Sequence, residues 1–284
     1  MCGRFVMARA IGDLVAEAGA LPPEEELVLP PPSWNVPPTA DVTVVLERPV
    51  DPDQGPDDDP SPQASGAPQV RREVHVARWG LVPIWAKDLS VGVRAFNARS
   101  ETVTEKPTFR SAVRARRCAI PVDGYYEWLK PGPGEKGPDG KAARKRPFYV
   151  HRADGAMTFF AGLYEWWRDP AVAEGEPGQW VLSCTILTGP SPEAGSGDET
   201  LDRLHGLHDR LPLPMDRATM DEWLRPEKLG SAAQAQELVD LVLARAYGTA
   251  AEWTLHEVDP AVGTVRNNGP DLIEPLTEEQ GTLL

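Results

Sequence analysis

Cysteine is scarce in this 284-residue chain: Cys2, Cys118 and Cys184 stand far apart, and there is no C-x-x-C pair. That excludes a disulfide scaffold and a four-ligand structural zinc site, and it fits a reducing compartment. Apolar runs are short as well, none approaching the ~20 residues that a membrane-spanning helix needs. The first twenty residues interrupt their apolar positions with Arg4, Arg9, Asp13 and Glu17, a pattern unlike a cleaved secretion signal. No internal repeat is visible. Positive charge is in deficit, with 29 Lys and Arg against 43 Asp and Glu and a formal net charge of −14. A protein that coats nucleic acid by bulk electrostatics is thereby excluded. What remains is a globular chain of ordinary composition, 41% hydrophobic and 25% charged, long enough for a sizeable core. The expected location is cytoplasmic.

The charge is unevenly spread. Segment 71–117 holds eleven Lys and Arg against four Asp and Glu, whereas 47–62 sums to −5 and 221–284 to −8. Screening confines surface charge to about 8–10 Å, so the basic segment can act locally despite the acidic total.

Thirty prolines and 25 glycines are concentrated in a few stretches. Segment 51–69 has almost no apolar content and is expected to be a flexible insertion; 130–146, basic toward its end, is expected to be another. Residues 277–284 read as a frayed tail. Between these lie short β-like runs: Asp41–Leu46, Val70–Trp79, Cys118–Val122, Phe148–His151, Met157–Leu163 and Val181–Leu187. Helical patterns are fewer: Ile11–Ala18, Met215–Trp223 with a start at Asp216, and Ser231–Ala246 with Gly248 as a stop signal. Strands dominate the middle without regular β-α alternation. The expected fold is therefore α+β: one domain over 1–284, with a mostly antiparallel, barrel-like β core and flanking helices.

Cys2 directly follows the initiator Met. If Met1 is removed, as is usual before a small residue, the chain begins with a 1,2-aminothiol. An α-amine titrates near ~7.7–8.0 and a free thiol near ~8.5, so both nucleophiles are accessible close to neutrality. Toward an aldehyde, the amine can form an imine and the thiol can close a five-membered thiazolidine. Toward an acyl group, the thiol can act as nucleophile with the amine as base.

Cys2 opens the first of a series of blocks. Met1-Cys2-Gly3-Arg4-Phe5 is followed by Trp34-Asn35-Val36-Pro37-Pro38-Thr39, then Trp79-Gly80-Leu81-Val82-Pro83 with Trp85. Phe96-Asn97-Ala98-Arg99-Ser100-Glu101-Thr102, Arg117-Cys118-Ala119-Ile120-Pro121 and Gly124-Tyr125-Tyr126-Glu127-Trp128 come next. Phe160-Ala161-Gly162-Leu163-Tyr164, His208-Asp209-Arg210-Leu211-Pro212 and Gly263-Thr264-Val265-Arg266-Asn267-Asn268 complete the order. Each block alone is weak, but the ordered series is specific. It resembles the SOS-response-associated peptidase (SRAP) family of abasic-site processing proteins, from residue 2 to about Ile273.

The resemblance implies the fold of that family and a monomeric protein whose partner is single-stranded DNA containing an abasic site. It implies a thiazolidine crosslink between Cys2 and the ring-opened sugar, together with a lyase-like character and autoproteolytic removal of Met1. No metal and no cofactor are implied. Asn97, whose amide both donates and accepts, would orient Cys2 or the sugar. Glu127 would handle protons at the amine and sugar, and His208, expected near a helix start, would assist ring opening. Arg4, Arg99 and Arg210 would contact the phosphates flanking the lesion, since guanidinium forks match phosphate oxygens. Trp85 and Trp79 could stack on bases; Ala86 stands where relatives often have a second Trp. The His205 and His208 pair lacks the cysteine or carboxylate cluster that would complete a metal site. Two other readings are an N-terminal-nucleophile cysteine peptidase or amidohydrolase, and a non-covalent single-stranded DNA-binding module.

Overall fold

A computed structural model of the chain describes residues 2–50, 70–137 and 140–276. The expected insertion at 51–69 and the tail at 277–284 lie outside the described residues. In chain order the strands are β1 (Phe5–Met7), β2 (Ser33–Val36), β3 (Asp41–Pro49), β4 (Val70–Trp79), β5 (Asn97–Arg99), β6 (Arg117–Val122), β7 (Gly124–Leu129), β8 (Arg146–Arg152), β9 (Thr158–Arg168), β10 (Trp180–Pro190), β11 (Arg210–Pro212), β12 (Pro214–Met215) and β13 (Trp253–Glu257). The helices are α1 (Ile11–Ala18), α2 (Ala112–Ala115), α3 (Glu199–Leu207), α4 (Arg217–Leu224) and α5 (Ala232–Ala250).

Five strands close on themselves. β4 pairs with β3, β3 with β6, β6 with β9 and β9 with β10, all antiparallel; β10 then returns to β4 in parallel, Ser183 opposite Arg78. The result is the expected α+β arrangement, a barrel with flanking helices. Side chains alternate across each strand. Val44, Leu46, Ile120, Phe160 and Ile186 gather in one cluster, while Val45, Ala119, Ala161 and Leu187 turn to the other side, where Trp223, Val239 and Val242 of α4 and α5 cover them. Trp223 also donates its indole N–H to the Cys118 carbonyl at 3.0 Å, fastening α4 to the barrel wall.

A second, antiparallel sheet runs in the order β13-β8-β7-β1-β2. Its central strand β7 begins at Gly124, where an added Cβ would stand 2.6 Å from the Tyr149 ring, so only glycine lets β7 lie this close to β8. β1 is slotted between β7 and β2, with Phe5 opposite both Tyr125 and Val36. Phe5 then packs on Trp79, ring centroids 4.7 Å apart. The N-terminus is thus drawn into the junction between the two sheets.

Two helix signals differ from expectation. α5 runs through Gly248 to Ala250, because its apolar face (Ala235, Val239, Val242, Ala246) and its Ser231 cap outweigh the modest cost of one interior glycine. His208 lies at the end of α3, not at a helix start; it is the residue that caps the C-terminus. No helix among the described residues is long and apolar enough to cross a membrane.

Candidate active site

Cys2 is fully buried in the cluster that joins the sheets, beside Phe5, Trp79 and Tyr125. Its carbonyl accepts a 2.6 Å hydrogen bond from Asn97 Nδ2, and the backbone N–H of Arg4 reaches its sulfur. Burial pushes the thiol far above its ordinary range, and the nearby Glu127 charge pushes it further. The thiol is therefore neutral at physiological pH, and bond formation at sulfur needs a base to take its proton.

β7 supplies that carboxylate. Glu127 is 5% exposed on the central strand of the second sheet, opposite Phe148 of β8, and not on an edge strand. The Trp128 N–H donates to its Oε1 at 3.0 Å. Burial raises the neighbouring Tyr125 hydroxyl well above its usual value, and the Cys2 and Glu127 charges add to the effect.

His208 approaches from the end of α3. Its Nδ1 lies 3.0 Å from the Arg210 N–H and 2.9 Å from Asp209 Oδ1. The neutral ring accepts from Arg210, leaving its proton on Nε2; the cationic ring can donate to Asp209 instead. Burial lowers its pKa below 6.5, and the Glu127 charge opposes that shift. Ser191 Oγ holds the His208 carbonyl at 2.5 Å, fixing the turn.

Asn97 lies on β5, paired in parallel with β10, so that Ile186 faces Asn97 and Thr188 faces Arg99. The Asn97 Oδ1 is buried without a hydrogen-bond partner. The same side chain lines an open cleft of about 710 Å³, walled by Val91, Val93, Ala95 and Phe109 with Arg94 at its edge. A close backbone crossing shapes this wall. Gly80 adopts φ +139°, and a Cβ there would come within 2.5 Å of the Gly92 carbonyl oxygen.

The expected phosphate contacts divide. Arg99 is exposed at the site. Arg210 is instead held by Glu101 in a two-pronged pair at 2.8 and 2.9 Å and by the Thr188 carbonyl at 2.7 Å. That pairing draws the Glu101 carboxyl down to about 2. Arg4 likewise spends its guanidinium inside the fold, on Asn35 Oδ1 at 2.7 Å and the Val262 carbonyl at 2.9 Å. An arginine saturated by protein acceptors has little left for phosphate. Trp85 is 56% exposed, as a stacking platform requires, whereas Trp79 is 0% exposed, with its indole N–H on the Phe96 carbonyl, and belongs to the core.

The basic segment also sorts itself. Arg72 pairs with Glu47 and Asp221, Arg116 with Glu165, and Arg117 is buried against the Trp223 and Val113 carbonyls. Those cations serve the fold. Lys87, Arg94, Arg99, Lys106 and Arg110 remain exposed, all within the stretch that borders the cleft. Sequence reasoning passed over Asn35, whose Nδ2 gathers the carbonyls of Val262, Thr264 and Asn267 and so ties the C-terminal block to β2. It also passed over Glu101 and Asp209. All three lie inside the matched blocks, which was the available signal. Among the described residues no group of three or more His, Cys, Asp or Glu could hold a metal ion.

Residues 1–265 match the family model described as SOS response associated peptidase (SRAP). The abasic site processing protein YoqW of Bacillus subtilis is 31% identical over 281 residues, covering 96% of this chain and 99% of that protein. The abasic site processing protein YedK of Escherichia coli is 28% identical, covering 70% and 73%. A crystal structure of a protein from Bacteroides thetaiotaomicron superposes with a TM-score of 0.65 at 19% identity, covering 97% of this chain and all of the other.

Proposed function

The chain belongs to the SOS response associated peptidase (SRAP) family, and from that premise we propose that it processes abasic sites in single-stranded DNA by a covalent bond to Cys2. Relatives at this level of similarity are named abasic site processing proteins. The observation that supports the reading is a buried Cys2 held through its carbonyl by Asn97 and within electrostatic reach of Glu127, which also acts on His208, with Asn97 lining a cleft bordered by exposed cations.

Removal of Met1 frees the Cys2 amine. The amine adds to the aldehyde carbon of the ring-opened sugar, and loss of water leaves an imine. The thiol then adds across the C=N bond: a C–S bond forms, the sulfur loses its proton and the nitrogen gains one. The net change is aminothiol plus aldehyde giving thiazolidine plus water. Because the thiol is neutral, Glu127 takes its proton as sulfur attacks and returns one to nitrogen. His208, with its proton on Nε2, donates during sugar ring opening and release of water. Asn97 holds the Cys2 backbone, and its unpaired Oδ1 accepts from a sugar hydroxyl. Arg99 and the exposed cations of 87–110 neutralise phosphates, with Trp85 stacking on a flanking base. Arg210 contributes by tying β11 to β10 through Thr188 and to the turn after β5 through Glu101.

Intact mass spectrometry tests this directly. The protein should lack Met1, and incubation with an abasic single strand should add the mass of that strand in a heat-stable adduct. Cys2→Ala should bind the strand without forming the adduct. Complete removal of Met1 with no adduct would overturn the proposal and leave the non-covalent binding module.

A further inference from the structure

Three residues beyond Glu127 the chain leaves β7 and does not enter β8 until Arg146. At about 3.3 Å per extended residue, Lys130 stands roughly 10 Å along the strand from Glu127, at the rim of the Cys2 pocket. Among the influences on the His208 pKa, after burial and Glu127, the charge of Lys130 is one.

The excursion folds back as a ribbon. Lys136 and Ala142 pair antiparallel; Gly137 N–H donates to the Lys141 carbonyl at 2.9 Å and Ala143 N–H to the Glu135 carbonyl at 3.1 Å. At its base the Glu135 carboxylate accepts from Gly132 N–H at 2.7 Å. Its return end is anchored by Arg146, 3.4 Å from Glu257 and with its guanidinium over the Phe148 ring at 5.7 Å.

Segment 130–146 carries six Lys and Arg against two Asp and Glu, in a chain whose net charge is −14. Lys136, Arg144 and Lys145 are exposed and ion-pair with nothing among the described residues. They pack no core and satisfy no carboxylate, so they add repulsion within the ribbon and no stability. Such a group is explained by an anionic polymer that lies across it. A strand whose lesion is seated at Cys2 must leave the pocket past its rim, and one side of that rim is this ribbon.

We propose that the two limbs of this ribbon, 130–137 and 140–146, form a phosphate-binding arm that grips the lesion-bearing strand beyond the nucleotides at Cys2. The proposal rests on the reading of Cys2 as the DNA-reactive residue.

The test compares the protein with a K136Q/R144Q/K145Q variant. Non-covalent affinity for a long single strand is measured against salt, both proteins carrying Cys2→Ala so that no adduct forms. Three phosphate contacts contribute about 0.7 each to the slope of log K on log salt, so the variant should show a slope shallower by about 2. Over a fourfold rise in salt the parent would then lose about twentyfold more affinity than the variant. The charge-keeping K136R/R144K/K145R variant should retain the parent slope. With Cys2 restored, adduct formation on an abasic trinucleotide, too short to reach the arm, should be the same in parent and variant. An unchanged slope in the glutamine variant would overturn the arm. Absence of trinucleotide adduct in the parent would count against Cys2 chemistry, while the salt comparison would still decide for or against the arm.

Discussion

Replacing Asn97 with Ala separates stability from activity. In the folded chain Asn97 Nδ2 satisfies the Cys2 carbonyl at 2.6 Å, while its Oδ1 is buried and unpaired. Removing the side chain leaves the Cys2 carbonyl without its donor, a cost of about 1–3 kcal/mol if the group stays dry. It also removes an unsatisfied buried acceptor, whose desolvation already costs the native state about 1–3 kcal/mol. The two nearly cancel. Asn97 borders an open cleft of about 710 Å³, so water can reach the vacated carbonyl and reduce the first cost further. Net stability should change by less than about 1 kcal/mol, a Tm shift within roughly 4 °C for a chain of this size. Under the proposed role adduct formation has no such offset, since Nδ2 holds the Cys2 carbonyl and Oδ1 would hold the sugar. Losing about 1.4–2.7 kcal/mol of orientation lowers the rate roughly 10- to 100-fold. The assay pairs a thermal melt with the time course of adduct formation on an abasic strand. A large loss of Tm, or an unchanged rate, would refute the reasoning, because the first makes Asn97 a structural residue and the second makes it a bystander.

The two tryptophans should part company. Trp79→Ala empties a buried site against Phe5 and should cost about 3–5 kcal/mol by chemical denaturation. Trp85→Ala should leave stability within about 0.5 kcal/mol yet weaken single-strand binding by about 1–3 kcal/mol in a fluorescence titration. Equal effects on stability would contradict the assignments. Acid should release the Glu101–Arg210 pair. The Glu101 pKa is depressed from 4.5 to about 2, so its contribution is present above pH 4.5 and disappears as the pH falls toward about 2. The Glu101 side chain is 47% exposed, and screening limits that contribution to about 1 kcal/mol or less. Denaturation at several pH values should show the parent losing that much more than Glu101→Gln across the window; parallel curves would mean that the pair adds nothing.

Legibility in the sequence followed the length of each element and the locality of its contacts. The runs 41–46, 70–79, 118–122, 148–151 and 181–187 all carry strands, and the core of α5 was visible in its apolar spacing. β1, β2 and β5 are three or four residues long and show no alternation of their own; β1 and β5 pair with the longer β7 and β10, and β2 in turn pairs with β1. α3 went unread although Leu201, Leu204 and Leu207 recur every third residue and Asp198 caps the start. Interspersed charge and Gly206 obscured it. At the site, the residue types of Cys2, Asn97, Glu127 and His208 were readable from the ordered motifs. The fate of the arginines was not. Whether Arg4 or Arg210 faces solvent depends on Asn35 and Glu101, which are brought to them only by the tertiary fold. Charge counted along the chain overstated the basic surface for the same reason: Arg72, Arg116 and Arg117 neutralise the protein's own carboxylates and carbonyls.

The insertion of β1 between β2 and β7 has a consequence in time. Cys2 is made well before two elements of the candidate site, the strand β7 (Gly124–Leu129) and the end of α3 that carries His208. At about 5–20 residues per second, β7 follows Cys2 from the ribosome by roughly 6–25 seconds, and α3 later still. Through that interval β1 has no β7 to join, and Cys2 is not yet buried by it. Once β7 arrives the terminus is sealed among Phe5, Tyr125 and Trp79. If Met1 is to leave before Cys2 reacts, as proposed, the pairing of β1 with β7 sets the time within which Cys2 stays accessible.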